Sequence, residues 1–523
     1  MQFNSYELIF LFFPLTLLGF FLLGKGKQTN VALIWLIVAS LLFYNWGSSL
    51  YVGLFGMSIF VNYALGLALS ETVSLPINRR WILTFGIFLN LALLGYFKYA
   101  DFTITSINQL FGSNWSLLKL ALPLGISFFT FSQISYLVDI YQGKIQEEGF
   151  LNYCIFVSFF PKLIAGPITY YNELIPQFTK AETYRFQLEN LAVGLTIFSL
   201  GLFKKAIFAD SLATYSNPIF QLASEGKPLS FSVAWIGALA FCLQLYFDFS
   251  GYTDMAIGAA RLFGIQLPLN FNSPYKATKV TQLWNTWHMS LTRFFRDYFF
   301  FPISRWLRQF SALRTQSGQQ LATYGNTFAV MLIIGLWHGA GWNYLLWGGV
   351  NGLYLVFYQL WRNLRRRLGH NLTQQSLVAR IFGWFLTFTT WTIALVLPKT
   401  TNLSQAWIVW QGMFDFSNLT QGANQVVGNP FINPTQLNLL PAALWVMVSL
   451  ALVLLMPNTQ EWLDQYRPAL DYVSSKVKKN RYQQLWQRWR WQPSQGWAVV
   501  TAFLSVSAVL LMAREQPFIY FKF

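Results

Sequence analysis

Apolar stretches separated by short polar connections recur along almost the whole chain. They lie at about 8–24, 31–46, 50–70, 81–97, 119–138, 151–168, 189–203, 231–247, 327–338, 342–361, 379–397, 437–456 and 496–513. A helix rises about 1.5 Å per residue, so roughly 20 such residues cross a hydrocarbon core of about 30 Å. The pattern predicts an all-α polytopic transmembrane helical bundle of about 11 to 13 membrane segments. Stretches that are short or broken by Gly and Pro, above all "FFPKLIAGPI", are expected to be re-entrant, because backbone that leaves the helix inside a membrane must be buried in protein. No long polar linker interrupts the series, which points to a single integral-membrane domain over residues 1–523. The first stretch carries Glu7 rather than a basic flank and has no small-residue cleavage pattern after it, so it reads as a retained helix.

Composition agrees with this pattern. The chain is 54% hydrophobic and 11% charged, whereas a soluble domain has about 25% charged residues. The net charge of +17 does not point to nucleic acid, because the basic residues sit in the connections between apolar stretches. Lys25 and Lys27, Arg79 and Arg80, Arg362 with Arg365, Arg366 and Arg367, and Lys476, Lys478, Lys479, Arg481, Arg488 and Arg490 form four such clusters. The positive-inside rule puts all four in the cytoplasm. Both termini and the polar stretch 402–438 then face outward, while Lys204 and Lys205 break simple alternation and support a re-entrant piece before them. Cys154 and Cys242 lie inside apolar stretches and read as packing residues. No Walker loop, GxGxxG or metal-binding histidine pair appears, so no metal and no tightly bound cofactor is expected.

What remains is a set of polar residues in membrane-grade sequence, each costly unless something pairs with it. His370 sits beside the Arg365 to Arg367 cluster and reads as solvated. His338, in "GLWHGAGWNYLLWGG", lies where one apolar stretch ends and another begins, with Gly339 and Gly341 allowing a tight turn on the outer side. His288 lies in "WNTWHMSLTRFFRDYFFFPISRWLR", where Arg293, Arg296, Arg305, Arg308 and Arg314 outnumber Asp297 and place the segment at the inner face. A dry surrounding favours neutral imidazole, which is a competent general base. Both histidines are therefore catalytic candidates, set against the plainer reading of a core histidine satisfied by one hydrogen bond.

On a helical wheel this segment separates Trp284, Trp287, Leu291, Phe294 and Phe295 from Asn285, Thr292, Arg293 and Arg296. It suits the inner interface either as a snorkelling surface helix or as a mouth for an anionic donor, with Asn285, Trp287, Arg293 and Arg296 as its lining. In "LYFDFSGYTDMAIGAARLFGIQLPLNFNSPY", Asp248, Asp254 and Arg261 read as structural, through helix capping by Asp248 or Ser250 and an ion pair to Arg261, and Asp297 as structural too. The closing "PFIYFKF", within a tail at 514–523, is either an aromatic anchor or a carrier of Tyr520, whose phenol is a better leaving group than a sugar alcohol.

These four stretches, "WNTWHMSLTRFFRDYFFFPIS", "GLWHGAGWNYLLWGG", "YFDFSGYTDMAIGAARLFGIQLPLNFNSPY" and "FFPKLIAGPI", together resemble the membrane-bound O-acyltransferase (MBOAT) superfamily. They look most like its bacterial alginate O-acetyltransferase branch, which is similar to the D-alanyl transfer protein of teichoic acid modification. The motif-bearing core runs over about 119–362. The resemblance implies an MBOAT-like core with His338 as the principal catalytic residue, where an outer funnel meets a cytoplasmic tunnel, and with His288 as the second motif histidine. It also implies Tyr520 as an acyl relay. Asn351 stands where the family often has a further histidine, "FFFPISRWLR" replaces a more usual Pro-Leu-Gly-Gly ending, and Lys522 replaces a glutamine.

The implied activity is transfer of an acyl group, acetyl above all, from a cytoplasmic thioester such as acetyl-CoA to an exoplasmic acceptor, for O-acetylation of a cell-envelope or secreted polysaccharide. A bacterial cytoplasmic membrane, contact with membrane lipid and an exoplasmic SGNH-type acyltransferase partner go with it. Acylation of a lipid or protein, use of an acyl carrier protein as donor, and transport of an intact lipid or glycan are the competing readings.

Overall fold

The computed structural model describes residues 1–26, 29–71, 76–371, 376–418, 439–470, 472, 489–512 and 518–519. Among them the chain is helical, with no strand. It divides into two compact units. One comprises Met1–Phe203, Gly251–Leu269 and Thr459–Ala513; the other comprises Lys204–Ser250, Asn270–Asn458 and Arg514–Phe523.

In chain order the helices are α1 (Leu8–Leu23), α2 (Thr29–Ser48), α3 (Val52–Leu69), α4 (Arg79–Phe111), α5 (Ile126–Tyr141), α6 (Phe150–Ser158), α7 (Phe160–Leu163), α8 (Tyr171–Phe178), α9 (Leu188–Ser224) and α10 (Phe231–Leu262). They continue with α11 (Val280–Thr286), α12 (Met289–Phe295), α13 (Phe301–Leu307), α14 (Gln316–His338), α15 (Trp342–Arg367), α16 (Leu377–Lys399), α17 (Leu403–Phe414), α18 (Leu439–Leu455) and α19 (Gln495–Leu511). Seven of them, α2, α3, α4, α9, α10, α14 and α16, are long and apolar enough to cross a membrane, and α1, α18 and α19 are shorter apolar helices. The protein is a multi-pass, all-α membrane protein, as the spacing of apolar stretches predicts.

Some stretches depart from that spacing. The helix expected from residue 119 starts only at Ile126, because Gly125 at φ +68 sits in left-handed backbone just before it and a Cβ there would press on the Leu163 carbonyl. The stretch 151–168 breaks into α6 and α7 and then leaves the helix through Gly166. This is the broken geometry expected of "FFPKLIAGPI". Its Lys162 is buried, with Nζ 3.4 Å from Ser132 Oγ and 4.3 Å from the centre of the Phe156 ring.

In the first unit a polar ladder ties α3, α4 and α5. Asn90 Nδ2 donates to Asn62 Oδ1 at 2.6 Å, and Ser58 Oγ and Asn62 Nδ2 both donate to Gln133 Oε1, at 2.9 and 3.2 Å. Between apolar helices such bonds specify which faces meet, because lipid offers the groups no alternative partner. The second unit carries both motif histidines. Its core is aromatic: Trp284, Trp287, Trp347 and Trp391 are all buried, with Trp287 and Trp391 ring centres 5.3 Å apart and Trp284 and Trp391 5.6 Å apart.

Candidate active site

The amphipathic segment is not one helix. It folds as α11 and α12 with a sharp bend at His288, whose backbone is left-handed (φ 43, ψ 54). A non-glycine residue there is strained by about 1–3 kcal/mol, and the strain persists only where neighbours over-determine it. Asn270 supplies that constraint. Its carbonyl accepts from Met289 N–H at 2.9 Å, and its Oδ1 accepts from Ser290 Oγ at 2.6 Å and from Ser290 N–H at 3.3 Å. The bend drives the His288 imidazole inward, where it is 1% exposed, packed edge-on against Phe249 at 4.7 Å and beside Trp337 at 5.8 Å. Burial pushes its pKa down to about 3, so the ring is neutral at physiological pH.

The two faces of the segment separate as the wheel predicts. Trp284, Trp287, Leu291, Phe294 and Phe295 are buried, Asn285 and Arg296 are exposed, and Thr292 and Arg293 are half-buried. Arg296 Nε lies 3.1 Å from Asp297 Oδ1 on the exposed side. Trp287, expected at the mouth, faces the core. It is 2% exposed, stacked on Tyr275 at 6.0 Å, because the bend after it turns its side chain into the core.

His338 is the last residue of α14. Helices α14 and α15 form a close antiparallel pair because glycines face each other across it: a Cβ on Gly335 would overlap the Tyr344 carbonyl and Gly348, and one on Gly348 would overlap the Met331 carbonyl. The glycines of the turn work differently from the expectation. Gly339 and Gly341 are extended, at φ −170 and −175, which any residue adopts. A side chain at Gly339 would instead run into the Tyr344 ring. Asn343 closes the turn, its Nδ2 donating to the carbonyls of Leu397 at 3.1 Å and Thr400 at 2.6 Å.

The His338 ring meets Trp337 at 4.8 Å and Trp347 at 4.9 Å. With Trp287, Tyr344, Trp347 and Trp391 it lines a cavity of about 20 Å³. That is space for roughly one water-sized guest in a mostly apolar wall. His288 and His338 thus share one aromatic cluster, with Trp337 in contact with both rings.

The model of the membrane-bound O-acyltransferase (MBOAT) family matches residues 114–399. The chain belongs to that family. It is 36% identical over 464 residues to a peptidoglycan O-acetyltransferase of Helicobacter pylori, covering 84% of each chain. It is 36% identical over 423 residues to a probable alginate O-acetylase of Pseudomonas aeruginosa, covering 80% of this chain and 75% of that one. A teichoic acid D-alanyltransferase of Bacillus subtilis is 28% identical over 307 residues, or 56% of this chain and 76% of the relative. The protein is accordingly a membrane O-acyltransferase, and both histidines lie inside the MBOAT match.

In this MBOAT chain the acidic stretch differs from its expectation. Asp248 and Ser250 cap no helix, since both lie within the continuous 32-residue α10. Arg261 pairs with Glu189, Nη2 to Oε1 at 3.4 Å, and not with an acid of its own stretch. Asp254 accepts from Thr459 Oγ1 at 2.6 Å and Gln460 Nε2 at 2.9 Å. Asp248 faces Lys205, with Nζ 2.7 Å from Asp248 Oδ1 and 2.7 Å from Asp210 Oδ1. Asn351 is buried and bonds back to the Trp347 carbonyl at 2.9 Å. Tyr520 lies outside the described residues. Sequence reading passed over Asn270, Asn343 and Trp391. Asn270, in "PLNFNSPY", was visible only as one polar residue after an apolar helix.

Proposed function

We propose that this O-acyltransferase takes an acetyl group from acetyl-CoA on the cytoplasmic side of a bacterial cytoplasmic membrane and delivers it to a polysaccharide acceptor outside, with both termini exoplasmic. The observation that carries the reading is His338 in a small, tryptophan-walled cavity. A cavity this small leaves no room for a long acyl chain. Moving only that group spares the polyanionic coenzyme and the polymer from crossing lipid.

In this reading Arg293 and Arg296, with Asn285, meet the phosphates of the donor from the inner face, because guanidinium groups pair with phosphate oxygens bidentately. His288 stays uncharged and positions the thioester. His338 removes the proton of the attacking hydroxyl as its oxygen bonds to the acyl carbon. The carbon–sulfur bond then breaks, and the proton passes from His338 to the leaving thiolate, releasing CoA as the thiol. The first hydroxyl is that of Tyr520, whose acetyl ester passes to a secreted SGNH-type acyltransferase or directly to the polymer. The names of the relatives, which act on peptidoglycan and alginate, support a polysaccharide acceptor.

The test is transfer of label from radiolabelled acetyl-CoA to purified protein, comparing wild type with His338→Ala and Tyr520→Phe. Label on wild type that is lost in both variants is expected. Label that survives Tyr520→Phe returns the tail to the role of membrane anchor. Absence of CoA release from acetyl-CoA, with turnover of an acyl carrier protein thioester, moves the donor assignment.

A further inference from the structure

Lys205 stands between two carboxylates, Asp210 and Asp248, each 2.7 Å from its ammonium nitrogen, and all three residues are buried. One cation against two anions leaves a net negative charge away from water, and such a charge needs a further donor. The donor comes from the far end of the chain. Ile519 N–H reaches Asp248 Oδ2 at 2.8 Å, across 271 residues. The residue next to Asp248, Phe249, touches both ends of what this bond connects: its ring centre is 5.9 Å from that of Phe518 and 4.7 Å from that of His288. Phe518, Ile519 and Phe249 are all buried. An aromatic anchor at a membrane interface needs only its rings at headgroup depth. It gives no reason for a main-chain amide to complete a buried charge cluster.

We propose that Asp248 is a positioning residue for the C-terminal tail: held by Lys205, its carboxylate fixes the backbone at Ile519 beside Phe249, whose ring packs against His288. The assignment rests on the acyl-relay reading for its purpose, and on the Asp248–Ile519 bond for its geometry. The bond is charge-assisted, and therefore short and directional, which suits a contact that sets position.

The experiment uses Ile519→Pro, which removes the amide hydrogen and leaves Asp248, Lys205 and Asp210 chemically intact, with Ile519→Val as a control that keeps it. Three quantities are read on the full-length purified protein: kcat for CoA release, KM for acetyl-CoA, and the rate at which carboxypeptidase trims the C-terminus. A misplacement of about 1 Å can cost about 10²-fold in rate. The expected result is a fall in kcat of about that size in Ile519→Pro, with KM within about twofold of wild type and trimming accelerated. Ile519→Val should match wild type in all three. Wild-type kcat and trimming in Ile519→Pro overturn the proposal. Loss of donor affinity together with kcat also overturns it, because that pattern marks general misfolding. If the wild type releases no CoA, the acyl-transfer reading fails by itself, while faster trimming of Ile519→Pro alone would still establish Asp248 as the anchor of the tail.

Discussion

His288 carries a prediction that follows from burial alone. Its imidazole lies outside the helices long enough to cross a membrane, and desolvation lowers its pKa from 6.5 to about 3. The folded protein therefore holds the ring neutral down to about pH 3, whereas the unfolded chain protonates it below about pH 6.5. Below that value the unfolded state binds more protons, so stability is full above pH 6.5 and is lost as pH falls toward 3. Each pH unit in this window is worth about 1.4 kcal/mol, which comes to about 2 kcal/mol at pH 5. His288→Gln removes the titration and retains a polar side chain. Equilibrium unfolding in mixed micelles at pH 7.5 and pH 5.0 should show wild type losing about 2 kcal/mol more than His288→Gln. Equal losses, or a smaller loss in wild type, would refute the reasoning. The same argument requires that any acid limb of the kcat profile between pH 5 and 8 survive in His288→Gln, because a ring already neutral cannot supply it.

Three further outcomes are expected. His338→Ala should lower acyl transfer by about 10²- to 10⁴-fold with the protein correctly inserted, as measured by CoA release. Lys205→Met should destabilise by about 3–5 kcal/mol in the same unfolding assay, because it leaves two carboxylates buried without their cation. Gly348→Ala should destabilise by about 1–3 kcal/mol through overlap with the Met331 carbonyl. It should also lower kcat more than it raises KM, since spreading α14 from α15 moves His338 and not the arginines.

Much of the site was legible in the sequence because membrane sequence makes polar residues conspicuous. A histidine among tryptophans at the end of an apolar stretch has few structural uses, and both His288 and His338 are buried in one aromatic cluster. The wheel of the amphipathic segment separated its buried and exposed residues correctly, since within each short helix a residue's side depends only on its number. The wheel had no means of showing the bend at His288, because left-handed backbone at a non-glycine residue is imposed by a distant group, here Asn270. Asp248 failed as a cap for a similar reason. Nothing in the local spacing shows that α10 continues through it to Leu262.

The order of apolar and polar residues by itself determined that this chain is a helical membrane protein with two histidines where lipid tolerates few polar groups, because the hydrophobic effect and helix periodicity act over neighbouring residues. The tertiary structure decided the rest: that Trp287 and Trp391 wall the His338 cavity, that Asn270 turns His288 inward, and that Lys205 and Ile519 meet at Asp248. These partners come from distant parts of the chain. Their pairing is set by which groups must be satisfied away from water once the helices pack, and no local pattern encodes that.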